Sequence, residues 1–207
     1  MNPAPSFRQT DRERLAMLVA ERGFGLIVGV DGRAASVGHA PVILRDNRLL
    51  FHLSAANRLS QVLRTAGSAL AVVTGDDAYV SPDWYAVADQ VPTWNYLSVE
   101  IEGPVRVLAR AQAIELLDDL TAHFEAPLAP KPLWTRAKMN PAKFEAMLDG
   151  ITAFEMRIER LEGIAKLSQN KPTAEVERVA RHLAARPDAG SRGIAARMIS
   201  PPEPSEG

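Results

Sequence analysis

From Trp94 to Glu102 the chain alternates at almost every residue, with Leu97, Val99 and Ile101 on one side and Tyr96, Ser98, Glu100 and Glu102 on the other. A period of two marks a strand with one face buried. The pattern returns late in the chain, where Phe154, Met156 and Ile158 alternate with Glu155, Arg157 and Glu159. Phe24 to Val30, a segment from near Arg33 toward Leu44, Leu49 to Leu53 and Ala69 to Val73 also read as strands. Asp31-Gly32 is a dipeptide suited to a two-residue hairpin, because both central positions need positive φ. The polar Arg45-Asp46-Asn47-Arg48 makes the next turn, and Pro41, lacking an N–H, implies an edge or a break in pairing. Residues 75 to 93 read as a long polar and aromatic connection, and Gly103-Pro104 as a bulge or bend.

Short helices fit between these strands. Thr10 and Glu13 have capping-box spacing ahead of a helix with Leu15, Leu18 and Val19 on one face, which stops at Gly23. Asn57 caps a short helix carrying Leu59, Val62 and Leu63, ending around Gly67. A third helix runs from about Ala111 to Glu125, with Ala113, Leu117, Leu120 and Phe124 at helical spacing, before Pro127, Pro130 and Pro132 interrupt regular structure. Asn140-Pro141 opens another that closes at Gly150, and Thr173 to Ser200 is helical in character. Six strands without a strand-helix-strand repeat predict a mainly β protein with helices (α+β), built on a six-stranded antiparallel barrel. The expected organisation is a barrel over residues 1–170, a C-terminal helical extension over 171–200 and a disordered tail over 201–207.

Composition narrows the chemistry. With 46% hydrophobic residues the chain can bury a sizeable core. It has no cysteine, which removes disulfides, thiolate metal sites and a cysteine nucleophile. No apolar leader opens the sequence and no run is long enough for a membrane span, so a cytoplasmic protein is expected. A formal net charge of -1 provides no long-range attraction to polyanions, so any nucleic-acid contact must come from a local patch.

Four clusters carry functional signal: Ser36-Val37-Gly38-His39; Phe51 to Asn57; Ala78 to Tyr85 running on to Val91-Pro92-Thr93-Trp94-Asn95-Tyr96; and Lys166-Leu167-Ser168-Gln169-Asn170. The helix beginning after Asn57 presents free N–H groups at its first turn, where a phosphate would gain from Asn57, Arg58 and the helix dipole. His39 and His52, on successive strands, would add donors; a strand histidine is more often a hydrogen-bonded structural residue, and capping alone also explains Asn57. Trp84, Tyr85, Trp94 and Tyr96 suit a planar ring, a subunit interface or simple loop packing.

The order and spacing of Tyr79-Val80-Ser81-Pro82, Trp84-Tyr85, Val91 to Tyr96, the two histidine segments and Lys166 to Asn170 resemble the PaiB-like family of FMN-binding negative transcriptional regulators, over roughly residues 5 to 185. The resemblance implies an FMN-binding split barrel, related in fold to pyridoxamine-phosphate oxidases, that forms a homodimer with FMN at the subunit boundary. By position it implies that Ser36, Val37, His39, His52, Asn57 and Arg58 lie near the flavin or its phosphate. Tyr79, Ser81, Trp84 and Trp94 would shape the isoalloxazine side, and Lys166 and Gln169 would close the pocket. The chain departs from the family where Ala55 stands in place of an arginine, with Arg58 next to the asparagine, and where Gly75-Asp76-Asp77 stands in place of Gly-Pro.

Three function classes follow. One is a flavin-binding protein that uses FMN as a sensor or redox group. A DNA-binding regulator would draw on the basic run Arg178, Arg181, His182, Arg186, Arg192 and Arg197, on two helical segments split around Pro187-Asp188-Ala189-Gly190. The last is a flavin-dependent oxidoreductase, for which no substrate acid or base can be named. Haem has only lone histidines to recommend it, without an attachment motif.

Overall fold

The first helix forms where the sequence supplies both a start and a stop. Asp11 Oδ1 accepts the N–H groups of Glu13 (3.0 Å) and Arg14 (3.2 Å), so the first turn is held by Asp11, one residue after the Thr10 that the capping-box spacing pointed to. Gly23, at φ +56°, ends α1 (Arg12–Arg22) with its N–H on the carbonyl of Val19. Leu15, Leu18 and Val19 are buried, as their spacing requires. The chain is described here by a computed structural model over residues 4–32 and 34–200; Arg33 and the expected tail at 201–207 lie outside the described residues.

Eight strands form one antiparallel sheet, β1 (Arg8–Gln9), β2 (Phe24–Asp31), β3 (Ala34–Arg45), β4 (Arg48–Ser54), β5 (Ser68–Val80), β6 (Thr93–Val107), β7 (Ile151–Arg157) and β8 (Arg160–Lys166). Their order is β1-β8-β6-β5-β2-β3-β4-β7, and β6 also pairs with β7. That extra pairing closes β6-β5-β2-β3-β4-β7 into a ring of six strands, the predicted barrel, and β8 and then β1 follow β6 in the pairing order.

Turn chemistry and proline set the registers. Asp31 pairs with Ala34, so Asp31 belongs to the strand and the turn comes after it, later than the Asp31-Gly32 expected; Gly32 takes φ +59°. Asp46 and Asn47 both adopt positive φ (46° and 59°) between paired Arg45 and Arg48, as a tight hairpin demands. β3 pairs with β2 as far as Pro41 and with β4 from Val42 onward. The residue without an N–H therefore sits where one strand exchanges partners.

Two strand expectations fell short. β5 runs on to Val80 and takes in residues 75–80, because its inward row slips by one at Asp76-Asp77: residues 69, 71, 73 and 75 are buried, then 78 and 80. β6 continues through Gly103-Pro104 to Val107. A Cβ on Gly103 would lie 1.8 Å from the carbonyl oxygen of Arg157, so glycine here admits a neighbouring backbone. β8 and the two-residue β1 lack alternation and were not predicted.

The remaining helices are α2 (Arg58–Leu63), α3 (Arg110–Glu125), α4 (Pro141–Asp149), α5 (Thr173–Ala184) and α6 (Ala189–Ile199). The caps at Asn57 and Asn140 form as expected, accepting from Leu59 (2.8 Å) and Lys143 (3.2 Å). By contacts the chain divides into two units. One comprises Val19–Val73 and Glu100–Arg160. In it Leu49, Phe51 and Leu53 pair with Met156, Phe154 and Thr152, and the Phe51 and Phe154 rings stack at 5.4 Å. The opposite row of β4 and β7 turns Leu50 and Ala153 into a second apolar cluster with Leu116 and Leu120 of α3 and Leu148 of α4. The other unit comprises Met1–Leu18, Thr74–Val99 and Leu161–Gly207. There β1 pairs with β8, Leu15 packs where Gly163 has no side chain, and α5 and α6 bury Val179, Leu183, Ile194 and Met198.

Candidate flavin site

The twelve candidate residues divide between these units, Ser36 to Arg58 in one and Tyr79 to Gln169 in the other. In the first, β3 alternation separates neighbours. Ser36 points inward and is buried, whereas Val37 (51% exposed) and His39 point outward, His39 stacking on Phe24 at 6.1 Å. α2 packs over the inner face: a Cβ on Gly29, the partner of Ser36, would meet Leu59 and Leu63, and one on Gly38 would meet Leu59 and Leu53. Asn57 Oδ1 is spent on the Leu59 N–H, leaving its Nδ2. Arg58 is exposed and has no ion pair or side-chain hydrogen bond among the described residues. Ser36 Oγ and Ser60 Oγ are buried with no partner among the described residues.

His52 does not join this group. Leu49, Phe51 and Leu53 take the inward row of β4, so His52 faces the α3–α4 side, half-buried and with Nδ1 unpartnered among the described residues. Burial lowers its pKa from the ordinary 6.5, because an imidazolium loses hydration there.

In the second unit, Tyr79 (44% exposed) and Trp94 (54% exposed) meet edge to face at 6.0 Å. Ser81 Oγ accepts the Asp83 N–H (3.3 Å), and Trp84 stacks on His182 at 5.4 Å. Lys166 Nζ donates to Thr93 Oγ1 and lies 5.9 Å from the Phe7 ring centroid; burial lowers its pKa. Both ends of the Gln169 amide are occupied, Oε1 by the Leu167 N–H (2.7 Å) and Nε2 by the carbonyls of Ala165 (2.5 Å) and Ser6 (3.0 Å).

Four residues not among the candidates hold these motifs together. Asn95, fully buried, donates to Ser168 Oγ (3.0 Å) and Met198 Sδ (3.5 Å) and accepts from Ser168 (3.3 Å). Tyr85 OH adds a 3.4 Å bond to the same Ser168, and Glu175 accepts the Ala86 N–H at 2.8 Å. Asn95 was visible as a polar residue in the inward phase of Leu97, Val99 and Ile101. The departure at Asp76-Asp77 also has a structural role. Arg197 reaches Asp76 at 3.8 Å, while a Cβ on Gly193 or Gly190 would strike Asp76 Oδ2 or the Asp77 carbonyl. The acids thus seat α6. Arg186 pairs with Asp188 (3.1 Å) and Arg192 binds the carbonyls of Arg186 (3.2 Å) and Pro187. Only Arg178 and Arg181 of the basic run's arginines are exposed without a side-chain partner among the described residues.

The start of α2 fits a flavin's phosphate: the Arg58 guanidinium, unpaired among the described residues, and the Asn57 Nδ2 are donors that an anion can use. Among the described residues no group of three or more histidines and carboxylates could hold a metal ion, and no helix is long and apolar enough to cross a membrane.

A ring-closed antiparallel sheet with these donors at one helix start defines a flavin-binding class of domain. Residues 1–160 match the model of the family described as "Putative FMN-binding domain", and the chain belongs to that family. The Bacillus subtilis "Protease synthase and sporulation protein PAI 2" is 27% identical over 181 residues, 86% of each chain. Among solved structures, the flavocytochrome Anf3 of Azotobacter vinelandii has TM-score 0.62 at 16% identity, covering 77% of this chain and 69% of that one. The FAD and heme binding protein of Mycobacterium smegmatis has TM-score 0.58 at 20% identity, covering 77% and 73%. These two likenesses concern the fold.

Proposed function

We propose that this FMN-binding domain seats the cofactor's phosphate at the start of α2, works as a homodimer and acts as a negative transcriptional regulator. The observation that carries the phosphate assignment is Arg58, exposed and unpaired among the described residues, beside an Asn57 whose Oδ1 is committed and whose Nδ2 is not. Arg58 takes over the charge absent at Ala55. Bound there, FMN supplies one- and two-electron redox chemistry, and the chain supplies binding and electrostatics. Charge-assisted hydrogen bonds contribute about 1.5–3 kcal/mol each. Asn57→Ala with Arg58→Ala should therefore weaken FMN at least tenfold in a flavin-fluorescence titration and erase the preference for FMN over riboflavin. Unchanged FMN affinity in that variant overturns the assignment. Tyr79 and Trp94 offer exposed ring faces to a planar partner, and Trp94→Ala is a separate arm of the titration.

The dimer reading rests on the outer face of β2, β3 and β5. Phe24, Val30 and Val37 are exposed there, next to half-buried Leu26, Val28, Leu70 and Val72. A second copy would remove this face from water. Val30→Asp with Val37→Asp should sediment as a monomer; an unchanged sedimentation coefficient would refute it. The regulator reading is supported by Arg178 and Arg181 on α5, exposed and without a side-chain partner among the described residues. A shift assay on DNA upstream of the chain's own gene should give a salt-sensitive complex that Arg178→Glu with Arg181→Glu abolishes. No complex at low salt would end that reading.

A further inference from the structure

Within the unit of Val19–Val73 and Glu100–Arg160, β4, α3, α4 and the segment 133–139 border a half-open chamber that the flavin assignment leaves unused. Its volume is about 220 Å³, and it shares Trp134, Met139 and Phe144 with an adjoining cleft of about 640 Å³. The walls are largely carbon, and the exceptions are informative. Thr121 spends its hydroxyl proton on the Leu117 carbonyl (2.7 Å). Asp118 and Arg136 neutralise each other, Nε lying 2.9 Å from both carboxylate oxygens. That leaves His52, which strand alternation turns to this side and whose Nδ1 is buried with no partner among the described residues. Nδ1 is shut off from the chamber, so the guest's donor meets the ring's other nitrogen, Nε2. Met147 (65% exposed) and Trp134 (37% exposed) also line the space, so large apolar surface stays wet when the chamber holds no guest.

We propose that this chamber binds an uncharged aromatic molecule of one or two rings carrying one N–H or O–H group that hydrogen-bonds to His52. The balanced Asp118–Arg136 pair gives an ion no net attraction, and the carbon walls penalise it. Size agrees, since an apolar cavity of about 150 Å³ is enough for benzene. Burial keeps the imidazole neutral at pH 7, so one ring nitrogen retains a lone pair for the guest's donor.

Indole and its carbon isostere indene test the proposal by calorimetric titration of the FMN-loaded full chain. Indole should bind saturably and at least tenfold tighter than indene. His52→Leu should erase that preference while indene affinity and FMN affinity stay unchanged, and His52→Gln should restore part of it. Met147→Trp, a substitution at an exposed wall, should block both guests without unfolding the protein. Absence of saturable indole binding at millimolar concentration overturns the proposal. So does an equal preference in wild type and His52→Leu, or release of FMN by indole, which would make the chamber part of the flavin's own site.

Discussion

Replacing Asn95 by alanine tests whether the buried network around Ser168 holds the aromatic loop in place. Asn95 is fully buried and supplies Ser168 Oγ with its 3.0 Å and 3.3 Å contacts, leaving only the 3.4 Å contact to Tyr85 OH after truncation. A buried hydroxyl deprived of its better partner costs about 1–3 kcal/mol. The void left by the carboxamide adds about 1 kcal/mol at roughly 24 cal/mol per Å³. A total near 3 kcal/mol corresponds to a Tm drop of roughly 6–12 °C in a chain of this size. Thermal and urea unfolding followed by circular dichroism should show that drop. Ser168→Ala keeps the positive φ of 62° and removes the hydroxyl, so the double variant should recover part of the loss, with a coupling of about 1 kcal/mol or more. Additive losses in the cycle, or an Asn95→Ala protein as stable as wild type, would refute the reasoning.

Other outcomes follow from the same geometry. His52 has a depressed pKa in the folded chain, so the unfolded chain binds more protons as pH falls below 6.5, and stability should decline there; His52→Leu should flatten that decline in urea midpoints between pH 7.5 and 5.5. Gly103→Ala would drive a methyl into the Arg157 carbonyl oxygen and should destabilise by about 3 kcal/mol, the upper range for overpacking, as read by denaturant midpoint. Asn57→Ala alone removes a cap and should cost about 1 kcal/mol in the same assay. Glu175→Gln should leave unfolding nearly unchanged yet speed proteolysis of residues 81–92, because its hold on the Ala86 N–H weakens.

Local chemistry made much of this architecture readable before any coordinates. Asp46-Asn47, Asn57, Asn140-Pro141 and Gly23 each act over four or five residues, and each marks the boundary it was expected to mark. What failed to show depends on partners distant in sequence. β8, Arg-Leu-Glu-Gly-Ile-Ala-Lys, does not alternate cleanly; its Gly163 is set by Leu15 packing from α1. β5 looked finished at Val73 because its inward row slips at two acids whose role is fixed by α6, more than a hundred residues later. The candidate site shows the same division. Asn57 and Arg58 stand together, as a cap motif must. Gln169 turned out to bind its own loop, and His52 faces the side opposite the inward row of β4, a fact that alternation contained once Leu53 was assigned inward.

Strand β3 changes partners at Pro41, and the residues on either side of that handover obey two neighbours in turn. Its sequence can drift, but its length cannot. A single codon gained or lost between Val37 and Pro41 would carry Ser36 out to water and bring the next side chain in beneath α2, while leaving everything after Val42 untouched. Among relatives, insertions should therefore accumulate at the tip beyond Gly32 and be missing from the stretch between Val37 and Pro41.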